Sequence, residues 1–141
     1  MTLLVKRKIY LLQKKGILVS KLAIDQNNSL YYEYMEGKLN TYTYVFVNAL
    51  TGNTTAWNGV IGKKVKDEGY GYLTYNFRGQ IHSSFDESIN LTSELIVNDL
   101  LKLINHLNLK NIILCGLSIG GLYAAIASLE KIDVKGLVLI N

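Results

Sequence analysis

The sequence predicts an α/β protein with a mostly parallel sheet and helices on both faces. One observation is that segments of strand composition alternate with segments of helical period along most of the 141 residues, which is typical of right-handed βαβ crossovers. A second is that residues 43–49 and 134–141 are apolar without alternation, as in strands covered on both faces. With 49% hydrophobic residues, the chain suits a single domain over residues 1–141.

The first predicted elements are two strands within residues 17–36. A turn at residues 26–28, Gln-Asn-Asn, separates them, because side-chain amides can satisfy the backbone of a turn. In the second strand the apolar and aromatic side chains alternate, so that Leu30, Tyr32 and Tyr34 face one way. The run at residues 43–49 is then the third strand.

From Thr54 the apolar residues recur at helical spacing. This spacing predicts a helix with Asn53 or Thr54 as its N-cap and Gly69 at its end. The composition returns to that of a strand over residues 69–77, and a loop rich in Gly, Ser, Asp and Asn follows.

A longer helix is predicted over about residues 91–107. Its buried stripe is expected to consist of six apolar residues: Leu91, Leu95, Leu100, Leu103, Ile104 and Leu107. A fifth strand at residues 111–116, a helix after Ser118 and the apolar run at residues 134–141 complete a pattern of six strands.

The net charge of +4 is concentrated at the start of the chain. The rest of the chain has 10 basic against 11 acidic residues, of which Asp25 is the first acidic one. Residues 1–15 contain no acidic residue and five cations, which are Lys6, Arg7, Lys8, Lys14 and Lys15. Such a segment could contact anionic lipid or nucleic acid. No binding motif accompanies it and Tyr10 is the one aromatic residue among these cations, so a solvated lead-in to the first strand is favoured, without nucleic-acid binding.

Two further features bear on location and cofactors. Lysines interrupt the apolar residues of residues 1–15, as they do not in a signal peptide, and no run approaches the roughly 18 apolar residues of a membrane span. The lone Cys115 excludes a disulfide framework and a cysteine metal site. We expect a reduced cytoplasmic protein without metal or cofactor.

Residues 116–120 read Gly-Leu-Ser-Ile-Gly and lie where an apolar strand turns into a helix. This context predicts a nucleophile elbow, with Ser118 as the nucleophile. Gly116 and Gly120 leave room where a Cβ would collide with the sharp turn. The N-terminus of the following helix favours a developing oxyanion, and the N–H of Ile119 is one expected donor.

Two glycine-rich binding motifs fit this segment less well. A dinucleotide-binding fingerprint requires glycine at the position of Ser118. A phosphate loop requires Lys followed by Ser or Thr after Gly121, where Leu122 and Tyr123 stand. A serine that merely caps an ordinary helix is the remaining structural alternative.

Four segments resemble the α/β-hydrolase family in order and spacing: residues 45–57, 71–84, 97–107 and 113–121. The resemblance implies the fold of that family, and it implies that the backbone N–H of Leu50 is the second oxyanion donor. Asn48 and Ala49 stand where the family usually has His-Gly, and Gly52 keeps the loop tight. Arg78 would be a structural residue that ties down the loop after the fourth strand.

In the family the triad acid and histidine follow the serine in the sequence. Neither His82 nor His106 matches such a place, so both are expected to be ordinary surface histidines. After Ser118 the chain has no histidine, and its only acids are Glu130 and Asp133. A dozen helical residues would place these acids about 18 Å away.

The sequence therefore predicts the first part of an α/β-hydrolase, truncated after its sixth strand. As a last strand, residues 134–141 would leave an apolar edge with unpaired backbone groups. We expect the C-terminal half of the hydrolase, or a partner, to cover this strand and to supply the acid and the histidine.

The predicted function is hydrolysis of an ester or thioester, a small-molecule acyl substrate, through an acyl-enzyme on Ser118. The 141-residue chain alone is expected to be inactive. One alternative is an acyltransferase, because residues 48–52, Asn-Ala-Leu-Thr-Gly, are similar to the loop of homoserine acetyltransferase-like members. Others are a non-catalytic binding protein and an anionic-surface binder that uses residues 1–15.

Overall fold

The structure, a computed structural model, describes residues 16–38 and 40–141. The basic segment and the predictions made on residues 1–15 lie outside this range. The described elements are β1 (Leu18–Ala23), β2 (Ser29–Met35), β3 (Thr43–Val47), α1 (Thr55–Asn58), α2 (Val60–Asp67), β4 (Gly71–Tyr75), α3 (Ser93–His106), β5 (Ile112–Leu117), α4 (Ile119–Ser128) and β6 (Val134–Ile140). In this part of the chain no helix has the length and apolar character that crossing a bilayer requires.

The six strands form one sheet in the order β1-β2-β4-β3-β5-β6. The strands β4, β3, β5 and β6 are parallel, whereas β1 pairs antiparallel with β2 and β2 antiparallel with β4. The predicted fold class, a mostly parallel sheet with helices, is therefore confirmed. The strand before the site, β5, lies between β3 and β6 and pairs with both.

The central strand β3 shows how both faces of the sheet are covered. Val45 and Val47 are fully buried in the larger apolar core, where α3 and α4 pack. Phe46 points to the other face and packs with Trp57 and Tyr72 in a smaller core beside α1 and α2. Successive side chains of a strand point to opposite faces, so apolar side chains of this strand are buried on both faces.

The predicted turn between the first two strands is present, but a carboxylate makes most of its hydrogen bonds. Asp25 Oδ1 accepts hydrogen bonds from the N–H groups of Asn27 and Asn28, both at 2.9 Å. The Asn28 side-chain amide also donates to this carboxylate at 2.9 Å. These N–H groups, that of Asn27 first, hold the pKa of Asp25 below its usual value.

The prediction of a single helix after Thr54 is wrong in one respect, because the structure has two helices separated at Gly59. This glycine has ψ −119°, outside the helical range, and so ends α1 and precedes α2. The flanking Asn58 bonds to other elements, since its side chain accepts from Tyr72 Oη at 2.5 Å and donates to Glu33 at 3.0 Å. These long-range contacts fix a break that local spacing does not reveal.

The helix predicted over residues 91–107 begins at Ser93. Thr92 is its N-cap, with a side-chain oxygen that accepts from Leu95 N at 3.1 Å. Leu91 therefore precedes the helix and is 40% exposed, so its predicted place in the buried stripe is wrong. Leu100, Leu103 and Ile104 are buried as predicted, whereas Leu95 and Leu107 are only partly buried. The other buried residues of α3 are Ile96, Val97 and Asp99.

The last strand, β6, forms an edge of the sheet. The sequence pattern predicted a strand covered on both faces, but Leu137, Val138, Leu139 and Ile140 are all between 36% and 59% exposed. The reason is positional, because β6 pairs with β5 on one side and with no described strand on the other. The backbone groups of its outer side are open to a further strand.

Candidate active site

Ser118 lies in the one-residue turn between β5 and α4, at the carboxyl end of the parallel strands. Its backbone has φ 54° and ψ −124°, a positive-φ conformation that is strained for a residue with a Cβ. The side chain is exposed and does not cap the helix. Two backbone bonds hold the turn, from Ser118 N to Ile140 O and from Gly121 N to Ser118 O, both at 2.8 Å.

The two glycines that flank Ser118 are required by close backbone approaches. A Cβ at Gly116 would contact the carbonyl oxygen of Gly120 and lie 2.5 Å from the Cα of Gly121. A Cβ at Gly120 would contact the carbonyl oxygens of Val47 and Asn48 and lie 2.9 Å from the carbonyl carbon of Asn48. The first turn of α4 therefore packs directly against the end of β3.

This packing brings together the segments that carry the two predicted oxyanion donors. Ile119 is the first residue of α4, where backbone N–H groups have no intrahelical acceptor and the helix dipole is positive. Leu50 is in the loop that follows β3. Its N–H has no acceptor within the described part of the chain.

Asn48 fixes the start of this loop. Its side chain is 1% exposed and makes hydrogen bonds in two directions. The amide nitrogen donates to Tyr75 O at 2.7 Å, and the oxygen accepts from the Trp57 indole at 2.6 Å. The loop then closes in a tight turn, in which Gly52 N donates to Ala49 O at 2.9 Å.

Gln80 connects this loop to the loop that follows β4. Its side-chain nitrogen donates to Ala49 O at 3.1 Å and to Leu50 O at 2.9 Å. Its side-chain oxygen accepts from Phe77 N at 2.8 Å and from the Asn48 amide at 3.3 Å. Three of these four bonds, from one half-buried side chain, therefore link the two loops, and the fourth lies within the loop of Gln80.

Arg78, predicted as a structural residue, is buried and forms a bidentate ion pair with Asp99 of α3. Arg78 Nε lies 2.5 Å from Asp99 Oδ2, and the second bond, to Oδ1, measures 2.7 Å. This hydrogen bonding to Asp99 raises the pKa of Arg78. The pair joins the loop after β4 to the helix that packs beside α4.

The two histidines do not pair with a carboxylate within the described residues. His82 lies beside the ring of Tyr31, with 5.2 Å between centroids, and His106 lies beside Tyr32 at 6.4 Å. Both are exposed. Neither arrangement orients an imidazole as a general base in the way that a triad acid does.

The acids after Ser118 lie at the opposite end of the sheet. Asp133 immediately precedes β6 and accepts a hydrogen bond at 2.7 Å from the N–H of Asn111, the residue before β5. It also pairs with Lys135 at 2.7 Å. The Lys135 ammonium holds the pKa of Asp133 below its usual value. The six residues of β5 separate this carboxylate from Ser118 by about 20 Å.

A cleft of about 260 Å³ lies between the two loops and is lined by Leu50, Thr51, Gly52, Asn53, Gly79, Gln80 and Ile81.

In the described part of the chain no three His, Cys, Asp or Glu side chains are grouped so that they could hold a metal ion. Burial raises the pKa of the Cys115 thiol to about 11, so this residue is not a second nucleophile.

Two residues of this arrangement were not predicted from the sequence. Asp99 interrupts the apolar stripe of α3, and a carboxylate in such a stripe is itself a signal for a buried partner. Gln80 has no comparable signal, because its partners Ala49 and Leu50 lie about thirty positions earlier in the chain.

Comparison with known proteins identifies the family of this chain. Residues 42–141 match the family described as alpha/beta hydrolase fold. A protein of Haemophilus influenzae named "Putative esterase/lipase" is 33% identical over 104 residues, which are 72% of this chain and 35% of that protein. The chain thus spans about a third of the length of this curated relative.

Among solved structures, one of the carboxylesterases of Nitrososphaera gargenis is 26% identical, with a TM-score of 0.74 over 84% of this chain and 44% of that one. An esterase of Exiguobacterium antarcticum is 23% identical, with a TM-score of 0.70 over 79% of this chain and 41% of that one, a likeness that concerns the fold. The family match covers well over half of the sequence and includes every element from β3 to β6. The chain belongs to the α/β-hydrolase family.

Proposed function

We propose that this chain carries the nucleophile and the oxyanion hole of a serine hydrolase that acts on esters or thioesters. The observation that carries the proposal is the strained backbone of Ser118, held above the carboxyl end of the sheet between two glycines that no larger residue could replace. Strain of this kind costs about 1–3 kcal/mol and persists at sites where it serves the mechanism. A helix-capping serine would not need this conformation.

In the proposed reaction Ser118 Oγ attacks the acyl carbon and its proton passes to a histidine base. The carbonyl oxygen becomes an oxyanion that accepts hydrogen bonds from the N–H groups of Leu50 and Ile119. The tetrahedral intermediate expels the alcohol or thiol, which takes the proton from the histidine. Water then hydrolyses the acyl-enzyme by the same steps and restores the serine.

The proposal requires an acid and a histidine beyond the described residues. The chain spans about a third to a half of the lengths of its relatives, and β6 presents an open parallel edge. Both observations support a C-terminal portion, or a partner, that continues the sheet beside β6 and supplies the base. A polypeptide of residues 1–141 alone should turn over little substrate.

The test uses the complete protein from its source with p-nitrophenyl esters of increasing acyl length and with a fluorophosphonate probe. We expect hydrolysis, a covalent adduct on Ser118 in the peptide map, and a loss in kcat of at least about 10⁴-fold in Ser118→Ala. Ser93→Ala, at an exposed serine of α3, should retain full activity and labelling. An unlabelled Ser118 in an inactive but folded protein would favour a non-catalytic binding role.

An acyltransferase is the second candidate, and residues 48–52, Asn-Ala-Leu-Thr-Gly, favour it. The acyl-enzyme is the same, but an alcohol rather than water accepts the acyl group. Product analysis with and without an added alcohol separates the two activities. Ester formation that exceeds hydrolysis at low alcohol concentration would assign the transferase.

A further inference from the structure

Gln80 occupies a position that the backbone of its own loop determines. Residues 77–80 form a tight turn in which Gln80 N donates to Phe77 O at 3.0 Å. Gly79 is its third residue, with φ +77°, as a type II turn requires. Arg78, the second residue, is anchored to Asp99 of α3. The start of the Gln80 side chain is therefore fixed independently of the loop that it contacts.

The orientation of the Gln80 amide is determined by its partners. Ala49 O and Leu50 O can only accept, so the side-chain nitrogen must face them. Phe77 N can only donate, so the side-chain oxygen must face that group. Rotation of the amide by 180° would place its oxygen against two carbonyl oxygens and its NH₂ group against the N–H of Phe77.

These bonds fix the plane of the Ala49–Leu50 peptide. The peptide bond is trans and planar, so its C=O and N–H point in opposite directions. Gln80 and Gly52 N both bind Ala49 O. The N–H of Leu50 must consequently point away from Gln80, and within the described residues no acceptor takes it.

We infer that Gln80 is a positioning residue that keeps the Leu50 N–H directed at the oxyanion of the acyl intermediate. The inference rests on the proposed serine hydrolase function. Gln80 itself touches neither the substrate oxygen nor Ser118 in this role. It acts by preventing rotation of one peptide unit, because a rotated unit would turn the Ala49 carbonyl toward the developing negative charge.

The test replaces Gln80 by Glu, which has the same shape and keeps an acceptor for Phe77 N but cannot donate when ionised. In the complete protein we expect kcat for a p-nitrophenyl ester to fall about 10- to 100-fold, since one oxyanion donor is displaced rather than removed. KM should change little, because the donor acts on the transition state. Gln26→Glu, at an exposed glutamine of the β1–β2 turn, is the matched control and should retain wild-type kinetics.

A pH profile distinguishes positioning from a general structural defect. In Gln80→Glu a protonated carboxyl can donate again, so the ratio of mutant to wild-type kcat should rise as the pH falls toward the glutamate pKa, about 4.3 in peptides. Gln80→Met, which is of similar length and has no polar group, should show the loss without this recovery. A Gln80→Glu protein with wild-type kcat, or a ratio that does not change with pH, would overturn the inference.

A spectroscopic readout makes the inference testable even if the proposed function is wrong. The amide ¹⁵N–¹H resonance of Leu50 should shift in Gln80→Glu and stay unchanged in Gln26→Glu. An unchanged Leu50 resonance in Gln80→Glu refutes the positioning role, whatever the activity. A wild-type protein that is inactive and unlabelled refutes the hydrolase, while a shifted resonance would still show that Gln80 holds this peptide.

Discussion

The glycine at position 120 has no room for a side chain. The atoms that a Cβ would meet are backbone carbonyl groups of Val47 and Asn48, which cannot rotate away as a side chain could. The neighbouring Gly121 is different, because a Cβ there would find ordinary contacts, with its nearest neighbour at 3.6 Å. An alanine is therefore expected to destabilise the protein at position 120 but not at position 121.

We expect Gly120→Ala to lower the free energy of unfolding by about 1–3 kcal/mol, or more, as overpacked positions do. Gly121→Ala should leave it unchanged or raise it by up to about 1 kcal/mol, because alanine is the better helix former. Urea unfolding of both variants measures the difference. Equal stabilities for the two variants would contradict the close approach of α4 to β3.

At the scale of secondary structure elements, the Arg78–Asp99 pair joins the loop after β4 to α3 through a buried, bidentate contact. The desolvation of two buried charges is offset only while both are present. Removal of one charge leaves the other without a partner in the core. The pair therefore contributes more to keeping the loop in place than to net stability.

We expect Asp99→Asn to lower the free energy of unfolding by about 3–5 kcal/mol, because the Arg78 cation loses its buried counterion. The double variant Arg78→Met/Asp99→Leu should recover much of this loss, since it buries no unpaired charge. Urea unfolding of the single and double variants checks this. A single variant that loses less than the double variant would show that the pair is solvated.

The elements differ in how far the sequence predicts them. The parallel strands and the turn at Ser118 follow from local composition, because a buried strand is apolar and a sharp strand-to-helix turn needs glycine. The break at Gly59 does not, since it depends on Asn58 reaching Tyr72 and Glu33. In the same way the bonds of Gln80 link loops distant in sequence, and no local pattern indicates such contacts.

For the molecule as a whole, the sheet has unequal edges. The β1 edge ends in an antiparallel hairpin, whereas the β6 edge is parallel, half-exposed and apolar. An edge with open backbone groups and apolar side chains is a template for pairing with another chain. The chain contains no proline that could interrupt such pairing, and the register shift of β6 against β5 is confined to the start of the strand.

We expect a polypeptide of residues 1–141 to self-associate through β6 at micromolar concentration. Val138→Lys introduces a charge at a 42% exposed position of this edge and should shift the protein toward monomer. Leu129→Lys, at an 86% exposed position after α4, makes the same chemical change away from the edge and should have no effect. Sedimentation velocity distinguishes these outcomes, and a wild-type monomer would contradict the prediction.

The hydrogen bond from Ser118 N to Ile140 O connects the turn of the proposed nucleophile to the edge strand β6. Ile140 is the last residue of the edge strand, and Ser118 is the proposed nucleophile. A further strand that pairs with β6 would form hydrogen bonds with the same strand that accepts the hydrogen bond of Ser118 N. If the proposed function holds, we therefore expect pairing of a further strand with β6 to hold the Ser118 turn more firmly, because that strand would restrict the backbone to which Ser118 N donates.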